Sequence, residues 1–277
     1  MTSPAASLTG KVMLVTGATD GIGKQTALEL ARRGAKVIAH ARTAERGGAT
    51  LAELRQRAPG LDVETVTADL GSLGEVRQMA AEVAARFPRL DTLINNAGVM
   101  TRRRQVSRDG FELTFAVNHL AHFLLTNLLL DQLKAAGAAR VITVSSNVHR
   151  AARLDFDDLQ MEHGWSGYEA YARSKLANVL FAYRLATLLE GSGVTSNALH
   201  PGVISTKLLR EGFGGGGGAS VEQGAATSVF LAADPSVAGT TGQYFDNLRP
   251  VRSSPLTYDI EVQRRLWEVS AALSAAL

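Results

Sequence analysis

Thr16-Gly17-Ala18-Thr19-Asp20-Gly21-Ile22-Gly23 follows the apolar run Val12-Met13-Leu14-Val15 and precedes a helical pattern that begins at Lys24. The stretch is typical of a tight turn between a buried strand and a helix, because glycine lets the backbone bend sharply and approach a ligand closely. Unpaired N–H groups at the start of the helix favour an anion there. The glycine spacing differs from the common G-x-G-x-x-G dinucleotide fingerprint. Alone, the turn predicts either a phosphate site or a glycine-rich loop without a ligand.

Short apolar runs alternate with amphipathic helical patterns along the rest of the chain. This alternation predicts an α/β fold, a single-domain Rossmann-type doubly wound parallel sheet of about seven strands with helices on both faces. Ligands bind such sheets beyond the carboxyl ends of the strands, where the strand order reverses. The predicted strands are Val12–Val15, Lys36–Ala39, Val63–Thr67, Thr92–Ile94, Val141–Val144, Thr195–Leu199 and Gln243–Phe245.

Composition places the chain among ordinary globular proteins, since its 277 residues are 45% hydrophobic and 20% charged with a formal net charge of +3. Apart from Arg102-Arg103-Arg104 the basic residues are scattered, which argues against a nucleic-acid-binding surface. The absence of cysteine excludes disulfides and a cysteine nucleophile, and it favours a cytoplasmic location. We expect a disordered lead-in over residues 1–10 and one catalytic domain over 11–277.

No apolar run approaches the roughly 20 residues needed to cross a bilayer. The apolar helical stretch Phe123 to Leu130 faces either the core or another subunit, so a homo-oligomer is one expectation. The six histidines lack the spacing of a metal site: His119 and His122 are three apart without a paired ligand. We therefore expect no metal and assign the histidines to core or surface positions.

The end of the second predicted strand carries information about a cofactor. An NAD site usually has a carboxylate there for the ribose hydroxyls. This chain has Ala39-His40-Ala41-Arg42 instead, and the planar donors of Arg42 suit the 2′-phosphate of NADP. The alternative is a solvent-exposed arginine in a loop.

Two further strand ends could complete a nucleotide site. Asp69-Leu70 follows the third strand, where Asp69 would either reach the adenine amino group or cap the next helix. Asn95-Asn96-Ala97-Gly98 follows the fourth strand, and its small residues let the backbone pass close to a ribose.

Tyr171 and Lys175 are four residues apart and therefore lie on one face of a helix. A nearby ammonium lowers the pKa of a phenol from its usual value near 10. Tyr171 could then exchange a proton with the oxygen of a carbonyl or an alcohol. Ser146 ends the fifth strand and could bind the same oxygen, although Ser145 or Ser146 could simply cap the next segment.

The chain resembles the short-chain dehydrogenases/reductases. TGATDGIG at 16–23, NNAG at 95–98, VNH at 117–119, VSS at 144–146, YARSK at 171–175 and HPG at 200–202 occur in the family's order, and the similarity covers nearly the whole chain. DGFELTFAVNHLAHFLLT at 109–126, SKLANVLFAYRL at 174–185 and RLWEVS at 265–270 resemble the retinol-dehydrogenase-like branch. The resemblance implies a carbonyl reductase or alcohol dehydrogenase that acts on small hydrophobic aldehydes, ketones or alcohols with a nicotinamide cofactor, often NADP(H).

The resemblance also implies the roles of individual residues. Ser146 and Tyr171 would be catalytic with Lys175, and Asn118 would hold a water that links Lys175 to solvent. Thr206 would bond the nicotinamide carboxamide, although a helix N-cap is an equally simple role. The predicted cofactor-binding residues are Gly17, Thr19, Asp20, Gly21, Ile22, Gly23, Arg42, Asp69, Leu70, Asn96, Ala97, Gly98, Tyr171, Lys175, Pro201, Gly202, Val203 and Thr206.

Two features depart from the family pattern. Ser146 and Tyr171 are widely separated, so residues 147–167 are expected to form an excursion near the pocket mouth. Asp20 stands where many NADP-preferring relatives carry a basic residue, which keeps NAD(H) as an alternative cofactor. The glycine run at 214–218 predicts a mobile substrate lid over 205–222 or a surface loop without function.

Two other functions share parts of this sequence pattern. A catalytically silent NADP-binding regulator on the same fold is the main alternative, and a sugar-nucleotide epimerase is disfavoured by the short carboxyl-terminal region. Val99, Met100, Leu154 and Phe213 could line an apolar substrate pocket or belong to the core.

Overall fold

A computed structural model describes residues 7–215 and 217–275. Its eight-stranded sheet has the order β3-β2-β1-β4-β5-β6-β7-β8, parallel except for the β7–β8 pair. The strands are β1 (Val12–Val15), β2 (Lys36–Ala41), β3 (Val63–Thr67), β4 (Thr92–Asn95), β5 (Ala139–Val144), β6 (Val194–His200), β7 (Tyr244–Asp246) and β8 (Arg249–Val251).

Helices cover both faces of this sheet. They are α1 (Gly21–Arg32), α2 (Ala44–Arg57), α3 (Leu73–Arg86), α4 (Leu113–Phe115), α5 (Ala121–Leu128), α6 (Leu130–Ala135), α7 (Gly167–Leu188), α8 (Lys207–Phe213), α9 (Val221–Ala233) and α10 (Ile260–Ala275). A π-helical turn, Ala116–Leu120, joins α4 to α5, and short 3₁₀ turns span Asn147–Ala151, Pro235–Val237 and Pro255–Tyr258. The predicted doubly wound fold is confirmed.

The alternation of side chains along β1 shows how the core is divided. Met13 and Val15 join the apolar cluster under α1 and α9, whereas Leu14 joins the cluster under α3, α5 and α7. Both faces of the strand are therefore covered, as expected for a parallel sheet.

The strand order reverses at β1, which lies between β2 and β4. The glycine-rich turn follows β1, and the segment Asn96–Gly98 follows β4. Both therefore emerge at the switch point of the sheet, the usual place for a ligand in this architecture.

All seven predicted strands are present, with small differences in length, but β8 was missed. It is a short antiparallel edge strand whose residues are exposed and include Pro250. Proline lacks an N–H for the ladder and is tolerated at edges. Neither an apolar run nor an alternating pattern marks such a strand.

The structure corrects the prediction about the start of the chain and decides the one about the apolar stretch that begins at Phe123. The disordered lead-in does not extend to residue 10, because Leu8 is buried and its amide donates to the Arg33 carbonyl at 2.8 Å. Residues 1–6 lie outside the described part. Phe123 faces its own chain, with its ring 4.8 Å from that of Trp267 on α10, so this contact belongs to the core.

Candidate active site

The glycine-rich turn is packed too tightly for side chains at two positions. A Cβ atom on Gly17 would lie 2.9 Å from the Ala97 Cα, and one on Gly23 would overlap the Gly17 carbonyl oxygen and the Asn96 side-chain amide. Gly17 also has a φ of 64°, which favours glycine. Glycine is therefore required at both positions for the turn to pack against Ala97 and Asn96 at the start of α1.

Asp20, the residue least expected in an NADP site, is the N-cap of α1. Its exposed carboxylate accepts a hydrogen bond of 2.7 Å from the Gly21 amide. On the other side of the turn, the Thr206 methyl lies 3.3 Å from the Cβ position of Gly21. The structure therefore places Thr206 beside the turn.

Thr16 joins the turn to the segment that follows β4. Its hydroxyl accepts hydrogen bonds from the amides of Asn96 at 2.8 Å and Ala97 at 2.9 Å. The Asn96 side chain donates back to the Thr16 carbonyl at 2.8 Å. These bonds hold two predicted cofactor-binding stretches in a fixed relation.

His40 supports the turn from β2, a role that the sequence analysis did not find. Its Nδ1 accepts the Gly17 amide at 3.0 Å, so Nε2 carries the proton donated to the Ala68 carbonyl at 2.9 Å. Burial lowers the pKa of His40 and favours this neutral form. Arg42 is exposed just beyond the end of β2.

Asp69 does not cap the helix that follows β3, so that alternative was wrong: the N-cap of α3 is Ser72. Asp69 Oδ1 accepts the Gly71 amide at 2.9 Å. The Leu70 side chain is buried in the core, and only its backbone could contact a ligand.

Asn118 lies in the π-helical turn, an irregularity that often marks functional sites. The side chain is buried and pairs with both backbone groups of Val99: Oδ1 accepts its N–H at 2.8 Å and Nδ2 donates to its carbonyl at 3.0 Å. Nδ2 also donates to Ser174 Oγ at 2.9 Å. Asn118 thus fixes the chain after Gly98 against α7.

The Tyr171–Lys175 pair occupies the first half of α7, and both residues are buried. The Lys175 ammonium lies 5.4 Å from the centre of the Tyr171 ring. It donates to the Val144 carbonyl at 2.9 Å, at the end of β5. The Cβ position of Gly98 is 3.5 Å from both Lys175 Nζ and Asn118 Oδ1. The structure therefore brings Asn118 and Lys175 together beside the segment after β4.

Burial has opposite effects on the two titratable groups of this pair. It lowers the pKa of Lys175 to about 8 and raises the pKa of Tyr171. In the protein alone the pKa of Tyr171 is therefore raised, opposite to the direction expected from the ammonium by itself. Tyr171 keeps its proton at neutral pH and is a hydrogen-bond donor.

Ser146 is held at the end of β5 by its neighbours. Its carbonyl accepts His149 Nδ1 at 2.7 Å, and its hydroxyl caps the following 3₁₀ turn at 3.5 Å from the Val148 amide. The capping alternative is thus confirmed for Ser146. Ser145 instead donates to the Lys175 carbonyl at 2.7 Å and pins α7 to β5.

His149 is another contributor that the sequence analysis missed. Its Nε2 accepts the Ser254 amide at 3.0 Å while Nδ1 donates to Ser146, and burial lowers its pKa to about 4. The motif SSNVH offers only one clue, a histidine three residues after the serine. Its partner, Ser254, is more than a hundred residues away in the chain.

The segment after β6 borders the same region. Pro201 and Gly202 are half-buried, Val203 is exposed, and Thr206 is the N-cap of α8, as the alternative predicted. The predicted lid contains α8, but Ser220 already caps α9 and residues 221–222 belong to it. A bridge between Ile204 and Ala219 closes the base of the segment. Gly216 lies outside the described residues.

The predicted pocket residues separate into two groups. Val99 and Leu154 pack against the core, whereas Met100 lies against Gly212 of α8. The Phe213 side chain lies outside the described part. The excursion at 147–167 contacts the segment after β4, since Arg104 donates to the Met161 carbonyl at 3.1 Å.

Neither metal chemistry nor a membrane span is indicated by the described residues. Within 7–215 and 217–275, no three histidine, aspartate or glutamate side chains are placed to hold a metal ion. None of the helices in those ranges combines the length and hydrophobicity needed to span a membrane.

The geometry fits a nicotinamide dinucleotide. The start of α1 offers backbone N–H groups to an anion such as a pyrophosphate, and the Asn96–Gly98 segment leads from there toward Lys175. Tyr171 lies on α7 and Ser146 at the end of β5, and their hydroxyls are the ones predicted to bind a reacting oxygen. The arrangement suits proton exchange with a carbonyl or alcohol at the far end of such a cofactor.

Comparisons with known proteins agree with this geometry. The family model for short chain dehydrogenase matches residues 11–213. Retinol dehydrogenase 13 from Homo sapiens is 45% identical over 283 residues, which cover 97% of this chain and 86% of that protein.

Solved structures show the same fold. The crystal structure of an uncharacterised protein from Mycobacterium paratuberculosis has a TM-score of 0.83 and 34% identity, covering 99% of this chain and 96% of that one. The Pseudomonas aeruginosa RhlG/NADP active-site complex has a TM-score of 0.72 and 28% identity, covering 88% and 97%. Together with the matched family model, these likenesses show that the chain belongs to the short-chain dehydrogenases, as an oxidoreductase that resembles the retinol dehydrogenases.

Proposed function

We propose that this enzyme uses NADP(H) to interconvert a hydrophobic aldehyde or ketone and the matching alcohol, with Tyr171 as the proton donor and acceptor. The observation that carries the proposal is the buried Lys175 ammonium, which lies 5.4 Å from the Tyr171 ring and is anchored at the end of the strand that leads to Ser146. A silent regulator has no need for a buried cation at this place.

The glycine turn would hold the pyrophosphate, Arg42 the 2′-phosphate, Asn96–Gly98 the ribose, and Thr206 the carboxamide. When bound, the cofactor supplies or accepts the hydride. The NADP complex of a structural neighbour supports NADP over NAD. The exposed Asp20 is already engaged in capping α1, so its carboxylate does not serve the 2′-phosphate end.

The protein's own groups would act on the substrate oxygen. Ser146 donates a hydrogen bond that orients the oxygen, and Tyr171 delivers its proton as negative charge develops there. Lys175 stabilises the phenolate that remains, because an opposite charge favours the ionised phenol. Asn118 and Val144 hold these groups in place through their contacts with Val99 and Lys175.

The substrate class is suggested by the relatives. Retinol dehydrogenase 13 acts, by its name, on an isoprenoid primary alcohol, and the exposed Val203 with Met100 offers apolar surface near Thr206 and α8. We propose retinal and similar hydrophobic aldehydes as substrates, covered by α8. NADPH absorbance followed with a panel of aldehydes, ketones and quinones, and NADP⁺ with the alcohols, tests this proposal. Turnover with hydrophobic aldehydes is expected, and no turnover across the panel would contradict it.

Arg42→Asp should reverse the cofactor preference. Hydrogen bonds to a charged group contribute about 1.5–3 kcal/mol, which corresponds to a loss of about 10- to 150-fold in NADPH affinity. NADH affinity should stay constant or improve, since a carboxylate at this place suits ribose hydroxyls. Binding titrations with both cofactors measure the change.

Arg55→Asp is the matched control, because Arg55 is exposed on the last turn of α2, the helix that follows Arg42. It changes the net charge equally but should leave both affinities unaltered. An unchanged NADPH preference in Arg42→Asp would assign Arg42 to solvent.

Lys175 should give the reduction a descending pH limb. Its pKa of about 8 means that the ammonium is present below this pH and is lost as the pH rises through it. Tyr171 does not titrate in this range because its pKa is raised. We expect kcat/KM for carbonyl reduction to fall about tenfold per pH unit above about pH 8.

Lys175→Arg is the comparison variant, since arginine keeps its charge in this range. Whatever activity it retains should lack the limb near pH 8. A wild-type profile that stays level up to the ordinary lysine range near pH 10 would contradict the assignment.

A further inference from the structure

His122 connects the glycine-rich turn, on the cofactor side of the site, to Asn118, on the catalytic side. It is buried on α5, and its Nε2 lies 2.9 Å from the Thr16 hydroxyl at the glycine turn. Its Nδ1 lies 3.0 Å from the carbonyl oxygen of Asn118. One ring therefore touches both the cofactor-side residue Thr16 and the catalytic-side residue Asn118.

The partners of the His122 ring determine which of its nitrogens carries the proton. A carbonyl oxygen can only accept, so the proton of the neutral ring lies on Nδ1 and points to Asn118. Nε2 is then an acceptor, and the Thr16 hydroxyl donates its single proton to it at 2.9 Å rather than to the more distant Ile94 carbonyl at 3.3 Å. The Thr16 oxygen keeps its lone pairs for the Asn96 and Ala97 amides.

The surroundings favour this neutral tautomer. Burial is the main cause that lowers the pKa of His122, to about 3. The titratable groups that act on it are Lys175 from α7, His40 from β2 and His119 from the π-helical turn, and each disfavours a second proton on the ring.

We infer that His122 is a positioning residue that sets the distance between the glycine-rich turn and α7. It acts through Thr16 at one end and, at the other, through Asn118, whose side chain bonds Ser174 of α7. The inference rests on the proposed function for its effect on catalysis. The two hydrogen bonds that join Thr16, His122 and Asn118, called the relay below, are present in the protein without cofactor.

Nitrogen-15 NMR of the histidine rings tests the relay directly in the cofactor-free protein. We expect a protonated Nδ1 and an unprotonated, hydrogen-bonded Nε2 for His122, unchanged from about pH 7 to about pH 5, where an ordinary histidine titrates. Thr16→Val should shift the Nε2 resonance, and Thr16→Ser should restore it. An Nε2–H tautomer, or titration near pH 6.5 as in a free histidine, would overturn the inference.

Two amide substitutions each keep one end of the relay. His122→Gln keeps an acceptor within reach of Thr16, so NADPH affinity should stay within about threefold of wild type while kcat falls. His122→Asn keeps only the donor toward Asn118, and NADPH affinity should fall about tenfold, the effect of one lost hydrogen bond. His119→Gln is the control, because His119 is buried nearby but bonds Ser270 on α10. It should lower the melting temperature without changing NADPH affinity.

The outcomes separate the relay from a merely structural role. Equal NADPH affinities for the Gln and Asn variants, or losses that only follow the melting temperature, would overturn it. If wild-type protein fails to bind NADPH, the proposed cofactor is wrong, and the ring tautomer still decides the relay. If the His122 variants do not fold, the Thr16→Val and Thr16→Ser pair carries the same NMR test.

Discussion

Tyr171→Phe should lose turnover while it keeps the fold and the affinity for NADPH. The substitution removes only the hydroxyl, and general acid catalysis contributes about 10²- to 10⁴-fold to a rate. Because burial raises the pKa of Tyr171, its proton is available for transfer throughout the neutral range. We expect kcat to fall by about that factor, measured with the best aldehyde of the panel, with an unchanged dissociation constant for NADPH.

Tyr168→Phe is the matched control for this variant. Tyr168 lies one turn earlier on α7 with 44% of its surface exposed, so the same chemical change is made outside the buried pair. Its activity should equal that of wild type. Retained activity in Tyr171→Phe would show that another group delivers the proton.

Gly23→Ala should abolish NADPH binding and destabilise the protein. The added methyl group would overlap the Gly17 carbonyl and the Asn96 side chain, which are backbone and hydrogen-bonded groups that cannot move freely. Overpacking costs about 1–3 kcal/mol, and more where the neighbours are rigid. Opening the turn to relieve the overlap would also misplace the pyrophosphate cradle. Urea unfolding and NADPH titration measure the two effects.

Gly48→Ala serves as the control because Gly48 lies in the middle of α2 with nothing within 4 Å of its Cβ position. Alanine is preferred over glycine in a helix by about 1 kcal/mol, so this variant should be slightly more stable and bind NADPH normally. Normal binding by Gly23→Ala would mean that the turn is not the cofactor cradle.

The features that could be predicted from the sequence are those with local patterns. β1 and β3 were predicted with the observed bounds. β1 is a buried apolar run, as is typical of a parallel strand, whereas β3 is rich in the β-branched residues that favour strands. The glycine turn, Asn96–Gly98 and Ser146 follow such runs, so the fold itself brings them to one edge of the sheet. The spacing of Tyr171 and Lys175 placed both on one helix face.

The supporting histidines could not be found in this way. His40, His122 and His149 each bridge backbone or hydroxyl groups that are distant in sequence, for example Thr16 and Asn118 in the case of His122. The near partners, Asn118 of His122 and Ser146 of His149, lie three or four residues away, but no spacing rule gives the distant partners Thr16 and Ser254. They were assigned to core or surface positions; all three are buried, and that assignment omitted what they hold in place.

The direction of the Tyr171 pKa shift also could not be predicted from a local sequence pattern. The sequence identifies the lysine one turn away, and a nearby cation alone predicts a lower pKa. Burial depends on how α7 packs against the π-helical turn and β5, which no local pattern gives. Burial raises the pKa of Tyr171, the direction opposite to the one a nearby cation predicts.

Transfer of deuterium tests the central claim, that the site moves a hydride between the nicotinamide and a hydrophobic carbonyl with Tyr171 as proton donor. NADPH deuterated on the hydride-donating carbon is incubated with retinal and the enzyme, and the alcohol product is analysed by mass spectrometry. We expect deuterium on the former carbonyl carbon with wild-type protein. With Tyr171→Phe we expect at least about a hundredfold less labelled product per unit time. Tight NADPH binding without labelled alcohol from any aldehyde or ketone of the panel would contradict it and indicate a catalytically silent NADP-binding protein.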